Sequence, residues 1–212
     1  MNWLVLVFIL GLSTTHLING QPVAGECETA PHWTVDGRNV MSESRGNVTL
    51  VALMELHCSF CRSQIEGFLA LSKMLKNQSV NDVQFVIVAP SNESVQYVDY
   101  FRRYLDPAGI KLYQETAAEP VWATIKGNKD DFFVYDACGR LSYYIPYPQS
   151  YLYYHYTVST LYSTLRQEKC GSCRYIAALD KKDSKPKDDC YRKLEWQLLM
   201  VAMCRYQQKP EI

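Results

Sequence analysis

Two cysteines, Cys58 and Cys61, are the residues of this 212-residue chain best suited to chemistry. They follow a β-type apolar run at 48–55 and open a helix-type run at 58–76. The free N–H groups and the positive dipole end at a helix N-terminus favour a thiolate at the first cysteine. The second cysteine is within reach to close a disulfide or to resolve a mixed one. The context therefore predicts a redox pair, with Cys58 as nucleophile and Cys61 as resolving cysteine.

The residues alone leave two other interpretations of this pair open. In an oxidising compartment Cys58 and Cys61 could form a structural disulfide without turnover. A Cys-x-x-Cys segment is also half of a zinc site, and a second such segment, Cys170 to Cys173, could supply the other thiolates. This second segment follows a helix instead of opening one, so we interpret its cysteines as structural. We predict neither a metal nor another cofactor.

The elements that must position the pair alternate between strand and helix. Strands are predicted at 48–55, 84–89 and 112–114, and helices at 58–76, 94–105 and 156–166, with a helical turn at 120–125. A hairpin at 132–135 and 141–145 surrounds a loop in which Gly139 supplies a positive φ. Parallel strands joined by crossovers, with an antiparallel edge, are the thioredoxin-like order. The predicted fold is α/β, with a central mixed sheet flanked by helices and a short helical C-terminal extension.

Three further residues are expected near the pair. His57 precedes Cys58 and, if protonated, would favour its thiolate, although it could equally be an exposed loop residue. Asp130 and Asp131 stand just before the hairpin, where most thioredoxin-like sites carry a cis-proline. A cis bond there would be costly without Pro. A carboxylate at this place would raise the pKa of Cys58; alternatively, both residues are solvated turn residues.

Several features predict a secreted protein. An apolar run at 4–12 has signal-peptide length, and cleavage after Gly20 would remove residues 1–20. No later segment is long and apolar enough for a membrane span. All 8 cysteines lie beyond that cleavage point. Three sequons mark candidate glycosylation sites, at Asn47, Asn77 and Asn92.

The other cysteines are candidates for structural disulfides: Cys27, Cys138, Cys170, Cys173, Cys190 and Cys204. Six cysteines allow 15 pairings, so the connectivity stays open. Cys190 and Cys204 bracket a predicted helix at 191–206 and are too far apart to bridge across it. Pairing of these two with Cys170 or Cys173 is the preferred expectation. We place the main domain at 27–173, and a charged linker with the C-terminal amphipathic helix at 174–212.

Charge and aromatic content bear on partners. Lys and Arg together number 22, as do Asp and Glu, so no net field favours nucleic acid. Tyrosines are dense between positions 143 and 156. They could form a stacking surface for a glycan or a receptor protein, or simply pack over the sheet edge.

Four segments together resemble the N-terminal domain of selenoprotein P. They are Cys27 with Pro31-His32-Trp33, residues 46–53 followed by Cys58-x-x-Cys61, residues 129–136 (Lys-Asp-Asp-Phe-Phe-Val-Tyr-Asp) followed by Cys138-Gly139-Arg140-Leu141, and residues 169–173. The resemblance covers about 27–173 in one order.

This resemblance implies a secreted, glycosylated, thioredoxin-like domain whose redox motif is selenocysteine-x-x-cysteine, linked to hydroperoxide reduction. Position 58 is Cys here, which indicates a sulfur version of the site. Residues 174–212 hold no His-rich or selenocysteine-rich stretch, so selenium transport through such a tail is not expected. The resulting hypothesis is a thiol–disulfide oxidoreductase or thiol peroxidase in extracellular antioxidant defence. Its substrates would be a small thiol or peroxide, or a protein disulfide. The alternative is a secreted binding or carrier module, related to selenium transport, without turnover.

Overall fold

The computed structural model describes residues 25–173, in which five strands form one sheet with α-helices packed against it. In chain order the elements are α1 (Val40–Glu43), β1 (Val48–Leu53), α2 (Ser59–Asn77), β2 (Val83–Ala89), α3 (Val95–Leu105), β3 (Lys111–Gln114), α4 (Val121–Thr124), β4 (Phe132–Tyr135), β5 (Leu141–Ile145) and α5 (Tyr156–Leu165). Short 3₁₀ turns lie at Asp106–Ala108 and Leu152–Tyr154. The predicted C-terminal helix, with Cys190 and Cys204, lies outside the described residues, as does the predicted signal peptide.

The sheet is mixed, with the strand order β3-β2-β1-β4-β5. β1 pairs in parallel with β2, and β2 with β3, whereas β4 runs antiparallel to β1 and to β5. This confirms the predicted α/β fold with an antiparallel edge. The predicted element boundaries shift by one or two residues, and both hairpin strands lie where the sequence placed them. Gly139 in the hairpin loop has a φ of 75°, as that loop requires.

β1 is buried on both faces, because its side chains alternate between two apolar layers. Leu50 and Ala52 face the layer beneath α2, α3 and α5, and Val51 and Leu53 face the layer beneath α1 and α4. In the first layer Phe68 of α2 packs edge-to-face on two strand phenylalanines, with ring centroids 5.5 Å from Phe85 and 5.1 Å from Phe132. These contacts fix the start of α2 beyond the C-terminal end of β1.

Two disulfides close the other end of the sheet, joining Cys27 to Cys170 and Cys138 to Cys173. The expectation that Cys170 or Cys173 bonds to Cys190 or Cys204 is therefore wrong. The hairpin loop and the lead segment at Cys27 meet the end of α5, and this approach depends on sheet topology, which sequence spacing does not encode. Cys170 and Cys173 are consequently unable to supply thiolates to a zinc site.

Candidate functional site

The site begins at the junction between β1 and α2. Cys58 occupies the N-cap position of α2, and the backbone N–H of Cys61 donates a hydrogen bond to Cys58 Sγ over 3.3 Å. Neither cysteine is in a disulfide. Cys58 is partly exposed, whereas Cys61 is fully buried. The pair thus has one sulfur that a substrate can reach and one that only Cys58 or its immediate neighbours can reach.

The two thiols have opposite electrostatic environments. Burial alone would raise the pKa of Cys58, but hydrogen bonds from the thiol and backbone N–H of Cys61, together with the Lys129 ammonium, lower it below its ordinary value. For Cys61, burial, Cys58 and Asp130 all act in one direction and raise its pKa far above its ordinary value. At neutral pH the pair therefore combines an acidified, accessible thiol with a protonated, buried one.

A line of alternating acidic and basic side chains leads to Cys58. Glu93, whose side chain is 2% exposed, accepts the Leu56 N–H over 2.6 Å and lies 3.2 Å from His57 Nδ1. His57 Nε2 lies 3.7 Å from Glu55 Oε2, and that oxygen is 2.6 Å from Lys129 Nζ. Glu93 therefore holds the segment before Cys58 in place, and Glu55 holds Lys129 beside the thiol.

His57 lies on the carboxylate side of this line, and its side chain is 58% exposed. Its contacts are with Glu93 and Glu55, and the cation that lowers the pKa of Cys58 is Lys129. An influence of His57 on the thiolate stays a prediction.

The loop before β4 brings Lys129 and Asp130 to the cysteines. Asp130 N–H donates to the Leu53 carbonyl over 2.7 Å, and Leu53 N–H donates to the Asp131 carbonyl over 3.1 Å. Gly127 makes this close approach possible, because a Cβ there would lie 2.4 Å from Leu53 Cδ1 and 2.8 Å from Phe133 Cε2. The end of β1 thus pairs with the segment that carries the charged residues.

Asp130 and Asp131 are buried, 5% and 3% exposed, so their interpretation as solvated turn residues is wrong. The expectation that a carboxylate here would act on Cys58 also needs correction, since Asp130 interacts with the thiol of Cys61. Asp131 is structural: its carboxylate accepts the Tyr144 hydroxyl over 2.7 Å and the Tyr147 N–H over 3.0 Å. Among the described residues the cis peptide bond is Tyr147–Pro148, not one at Asp130 or Asp131.

An aromatic surface adjoins the redox pair. Phe60, inside the Cys-x-x-Cys segment, has its ring centroid 5.5 Å from that of Tyr147 and 5.2 Å from that of Tyr151. The buried side chain of Gln64 holds this loop from both sides of Tyr151, donating to the Ser150 carbonyl and accepting the Leu152 N–H. Tyr147, Tyr153 and Tyr154 are each about half exposed. The tyrosines therefore form a fixed, accessible surface next to Cys58.

Sequence reasoning missed four residues of the site: Glu55, Gln64, Glu93 and Lys129. Lys129 lies in the segment that carries the family resemblance, and Glu93 is the middle residue of the Asn92 sequon. Glu93 lies 36 residues from His57, and Lys129 lies 74 residues from Glu55. The pairing of β1 with β2 and with β4 closes both separations, and no local signal in the sequence reveals them.

The candidate glycosylation sites lie outside this cluster. Asn77 and Asn92 are exposed, at the end of α2 and just before α3, and Asn47 is half-buried ahead of β1. Their glycosylation stays a prediction. Within residues 25–173 no group of three or more His, Cys, Asp or Glu side chains is arranged to hold a metal ion. Nor does this part of the chain contain a helix long and apolar enough to cross a bilayer.

The mixed sheet and its flanking helices define a thioredoxin-like fold. Two of the solved structures that share the fold illustrate the likeness. One, from Neisseria meningitidis, is described as a thioredoxin, with a TM-score of 0.50, 13% identity, and coverage of 64% of this chain and 91% of that one. The other is ScoI of Arabidopsis thaliana, solved with copper bound, with a TM-score of 0.50, 14% identity, and coverage of 64% and 98%.

Residues 23–195 match the family described as the N-terminal region of selenoprotein P, and the chain belongs to that family. It is 30% identical over 164 residues to selenoprotein Pb of Danio rerio, covering 77% of this chain and 62% of the relative. It is 31% identical over 181 residues to selenoprotein P of Bos taurus, covering 84% and 44%. With the Homo sapiens protein it shares 28% identity over 155 residues, covering 73% and 41%. The chain thus spans less than two thirds of the length of each of these relatives.

Proposed function

We propose that this protein is a secreted thiol–disulfide oxidoreductase in which Cys58 attacks the substrate and Cys61 resolves the intermediate. One observation carries the proposal: an accessible thiol of lowered pKa sits three residues before a buried thiol of raised pKa, at the start of a helix. A structural disulfide needs no such difference between its two sulfurs. The asymmetry supports attack by the exposed sulfur.

The reaction has two displacements. The Cys58 thiolate attacks one sulfur of a substrate disulfide, forming a mixed disulfide and releasing the other substrate sulfur as a thiolate, which takes a proton from solvent. Cys61, after losing its proton, attacks Cys58 Sγ, forming the Cys58–Cys61 disulfide and releasing the second substrate thiolate. The substrate gains two electrons and the protein is oxidised. An external thiol reductant then restores both thiols.

With a hydroperoxide the first displacement differs. The Cys58 thiolate would attack the terminal peroxide oxygen, giving a sulfenic acid and an alcohol or water, and Cys61 would displace water from the sulfenic acid. The aromatic surface of Phe60, Tyr147 and Tyr151 favours the disulfide of a polypeptide over a small peroxide, because fixed rings offer apolar area to side chains that flank a disulfide.

Secretion is supported by the apolar run at 4–12, by the three sequons and by the two disulfides, which persist in oxidising compartments. The alternative function, a binding or carrier module, is supported by the exposed tyrosines of the same surface. It predicts saturable binding to a glycan or receptor protein that survives Cys58→Ser and is lost in the double variant Tyr147→Ala, Tyr154→Ala.

Reduction of a disulfide-bonded polypeptide, such as insulin, in the presence of a thiol reductant tests the proposal. We expect wild-type protein to accelerate reduction and Cys58→Ser to lose the acceleration. Cys61→Ser is the matched variant, because it keeps the nucleophile and should accumulate a mixed disulfide detectable by mass spectrometry. Equal rates for wild type and Cys58→Ser would show that the pair does not turn over.

A further inference from the structure

The resolving step leaves one proton unaccounted for. Cys61 must lose its thiol proton before it attacks Cys58 Sγ, since the thiolate is the nucleophile. Its side chain is 0% exposed, so a base in bulk solvent reaches it only when the structure opens locally. Rapid resolution therefore needs a proton acceptor within the protein.

Asp130 is the carboxylate that faces this thiol. It interacts with the Cys61 side chain and is only 5% exposed. Its Oδ1 is buried and has no hydrogen-bond partner among the described residues. An unpaired buried carboxylate oxygen costs free energy, so a position that retains one needs a reason beyond stability.

The backbone holds Asp130 in this place. Its N–H is bound to the Leu53 carbonyl over 2.7 Å, and its φ of 64° lies in the left-handed region, which Asp and Asn tolerate better than most residues. Asp131, one residue later, points its carboxylate to Tyr144 and Tyr147 instead. Of the two adjacent buried carboxylates, Asp131 stabilises the loop of the tyrosines and Asp130 interacts with the Cys61 thiol.

We propose that Asp130 is a catalytic residue that takes the Cys61 proton during resolution and returns it during reduction. The proposal rests on the oxidoreductase function and assigns its missing base. In the reduced protein the Cys61 proton has two acceptors, Cys58 Sγ and the Asp130 carboxylate. Once Cys58 is in a mixed disulfide, its sulfur carries no charge and Asp130 is the remaining acceptor. The Cys61 S–H bond breaks toward Asp130 as the Cys61–Cys58 bond forms, and the substrate thiolate leaves with the electron pair.

The reverse half-reaction uses the same proton. A reductant thiolate attacks the accessible Cys58 Sγ, and Cys61 leaves as a buried thiolate that the protonated Asp130 neutralises. This transfer avoids an uncompensated charge in the interior.

The surroundings of Asp130 suit a proton acceptor for a thiol. Burial raises the pKa of Asp130, Glu55 and Asp131 add to this effect, and Cys61 and Lys129 oppose it without cancelling it. Cys58 is the other titratable group that acts on the Cys61 thiol. A carboxylate with a raised pKa is a stronger base than an ordinary one. The difference between its pKa and that of the Cys61 thiol is therefore smaller.

Reaction with a moderate excess of 5,5′-dithiobis(2-nitrobenzoic acid), followed by stopped flow, separates the two steps. Attack by Cys58 releases one thionitrobenzoate, and resolution by Cys61 releases the second. Because thionitrobenzoate leaves without needing a proton, the second phase reports deprotonation of Cys61. In wild type we expect its rate to rise with pH through the ionisation of Asp130 and then to reach a plateau.

Asp130→Asn is the decisive variant, since Asn tolerates the positive φ but does not take up a proton. We expect its second phase to slow about 100-fold near neutral pH and to follow hydroxide without the plateau, while its first phase persists. The matched control is Asp136→Asn. It alters another buried carboxylate beside β4, at the far end of the sheet, and should leave both phases unchanged.

The outcomes separate the two proposals. A missing rapid first phase would contradict Cys58 as nucleophile, and with it the proposed function. A normal first phase, with the Asp130→Asn second phase equal to wild type at every pH, would overturn the role of Asp130 alone. If Asp130→Asn fails to fold by circular dichroism, the wild-type profile decides: a second phase that rises with hydroxide and shows no plateau overturns the role.

Discussion

The chain contains the Cys-x-x-Cys spacing twice: one copy keeps both thiols free, and both cysteines of the other are in disulfides. Cys58 and Cys61 open α2, where the helical backbone turns the N–H of the second cysteine toward the sulfur of the first. Cys170 and Cys173 follow α5, and Gly171 between them has a φ of 70°, so this segment is not helical. Each of its cysteines bonds to a distant one, Cys27 or Cys138. Backbone conformation, not spacing, decides whether such a pair is reactive or structural.

The two pairs also lie at opposite ends of the sheet. The reactive pair follows the C-terminal end of β1, and the bonded pair meets the loop after β4, which runs antiparallel to β1. One end is covalently tied and the other carries the free thiols. The difference predicts that the two ends respond separately to chemical and mutational change.

The largest expected effect is in alkylation. With limiting iodoacetamide at neutral pH and no reductant, Cys58 should react at least about 1,000-fold faster than Cys61, because thiolate fraction and exposure both favour it. Cys27, Cys138, Cys170 and Cys173 should stay unlabelled. Peptide mass mapping with and without prior denaturation measures this. Labelling of Cys170 in the native protein to the same extent as Cys58 would contradict the assignment of one pair as reactive and the other as structural.

Removing one disulfide should destabilise the protein without changing the reactivity of the free thiols. The double variant Cys27→Ala, Cys170→Ala opens a cross-link that spans 143 residues of sequence and should lower the free energy of unfolding by about 2–5 kcal/mol. Urea unfolding measures this loss. The alkylation rate of Cys58 in the folded variant should equal that of wild type, and a large change in it would mean that the two ends are coupled.

Lys129→Met should act only on the reactive end. Loss of the ammonium removes one of the interactions that lower the pKa of Cys58, so its alkylation below that pKa should slow about threefold to tenfold. The rate against pH should shift to higher pH. Lys129→Arg is the control that keeps the charge and should remain near wild type. Identical pH profiles for Lys129→Met and wild type would show that Lys129 does not lower the pKa of Cys58.

Glu93→Gln should produce the smallest effect, about 1 kcal/mol of stability at neutral pH, because one charge-assisted acceptor of the Leu56 N–H becomes neutral. Burial would raise the pKa of Glu93, but the Leu56 N–H, His57 and the Ser94 N–H lower it overall. A lowered folded-state pKa gives stability that is present above the unfolded value of about 4.3 and is lost as pH falls through the folded value.

Urea unfolding from pH 7 downward measures this contribution. The Glu93→Gln curve should be flatter than the wild-type curve in the acid range below about pH 5, where the wild type loses its Glu93 contribution. Parallel curves would indicate that Glu93 does not stabilise the segment before Cys58.

Much of the fold could be predicted because its signals are local. The apolar run of β1, the periodicity of α2 and the hairpin around Gly139 each lie within one short segment, and alternation of strands with helices restricts the topology. The reactive pair was predictable for the same reason, since the strand before it and the helix after it are contiguous in sequence. The disulfide connectivity and the environments of Asp130 and Asp131 could not be predicted, because each depends on residues far away in the chain.

The sequence by itself determined that Cys58 would sit at a helix start and that Cys61 would follow it inside the helix. Only the tertiary structure decided which charges surround them. Pairing of β4 with β1 places Lys129 beside the accessible sulfur and Asp130 beside the buried one. Pairing of β2 with β1 brings Glu93 to the segment between β1 and α2. Thiol acidity depends on groups within a few ångströms, and strand pairing, not sequence separation, sets those distances.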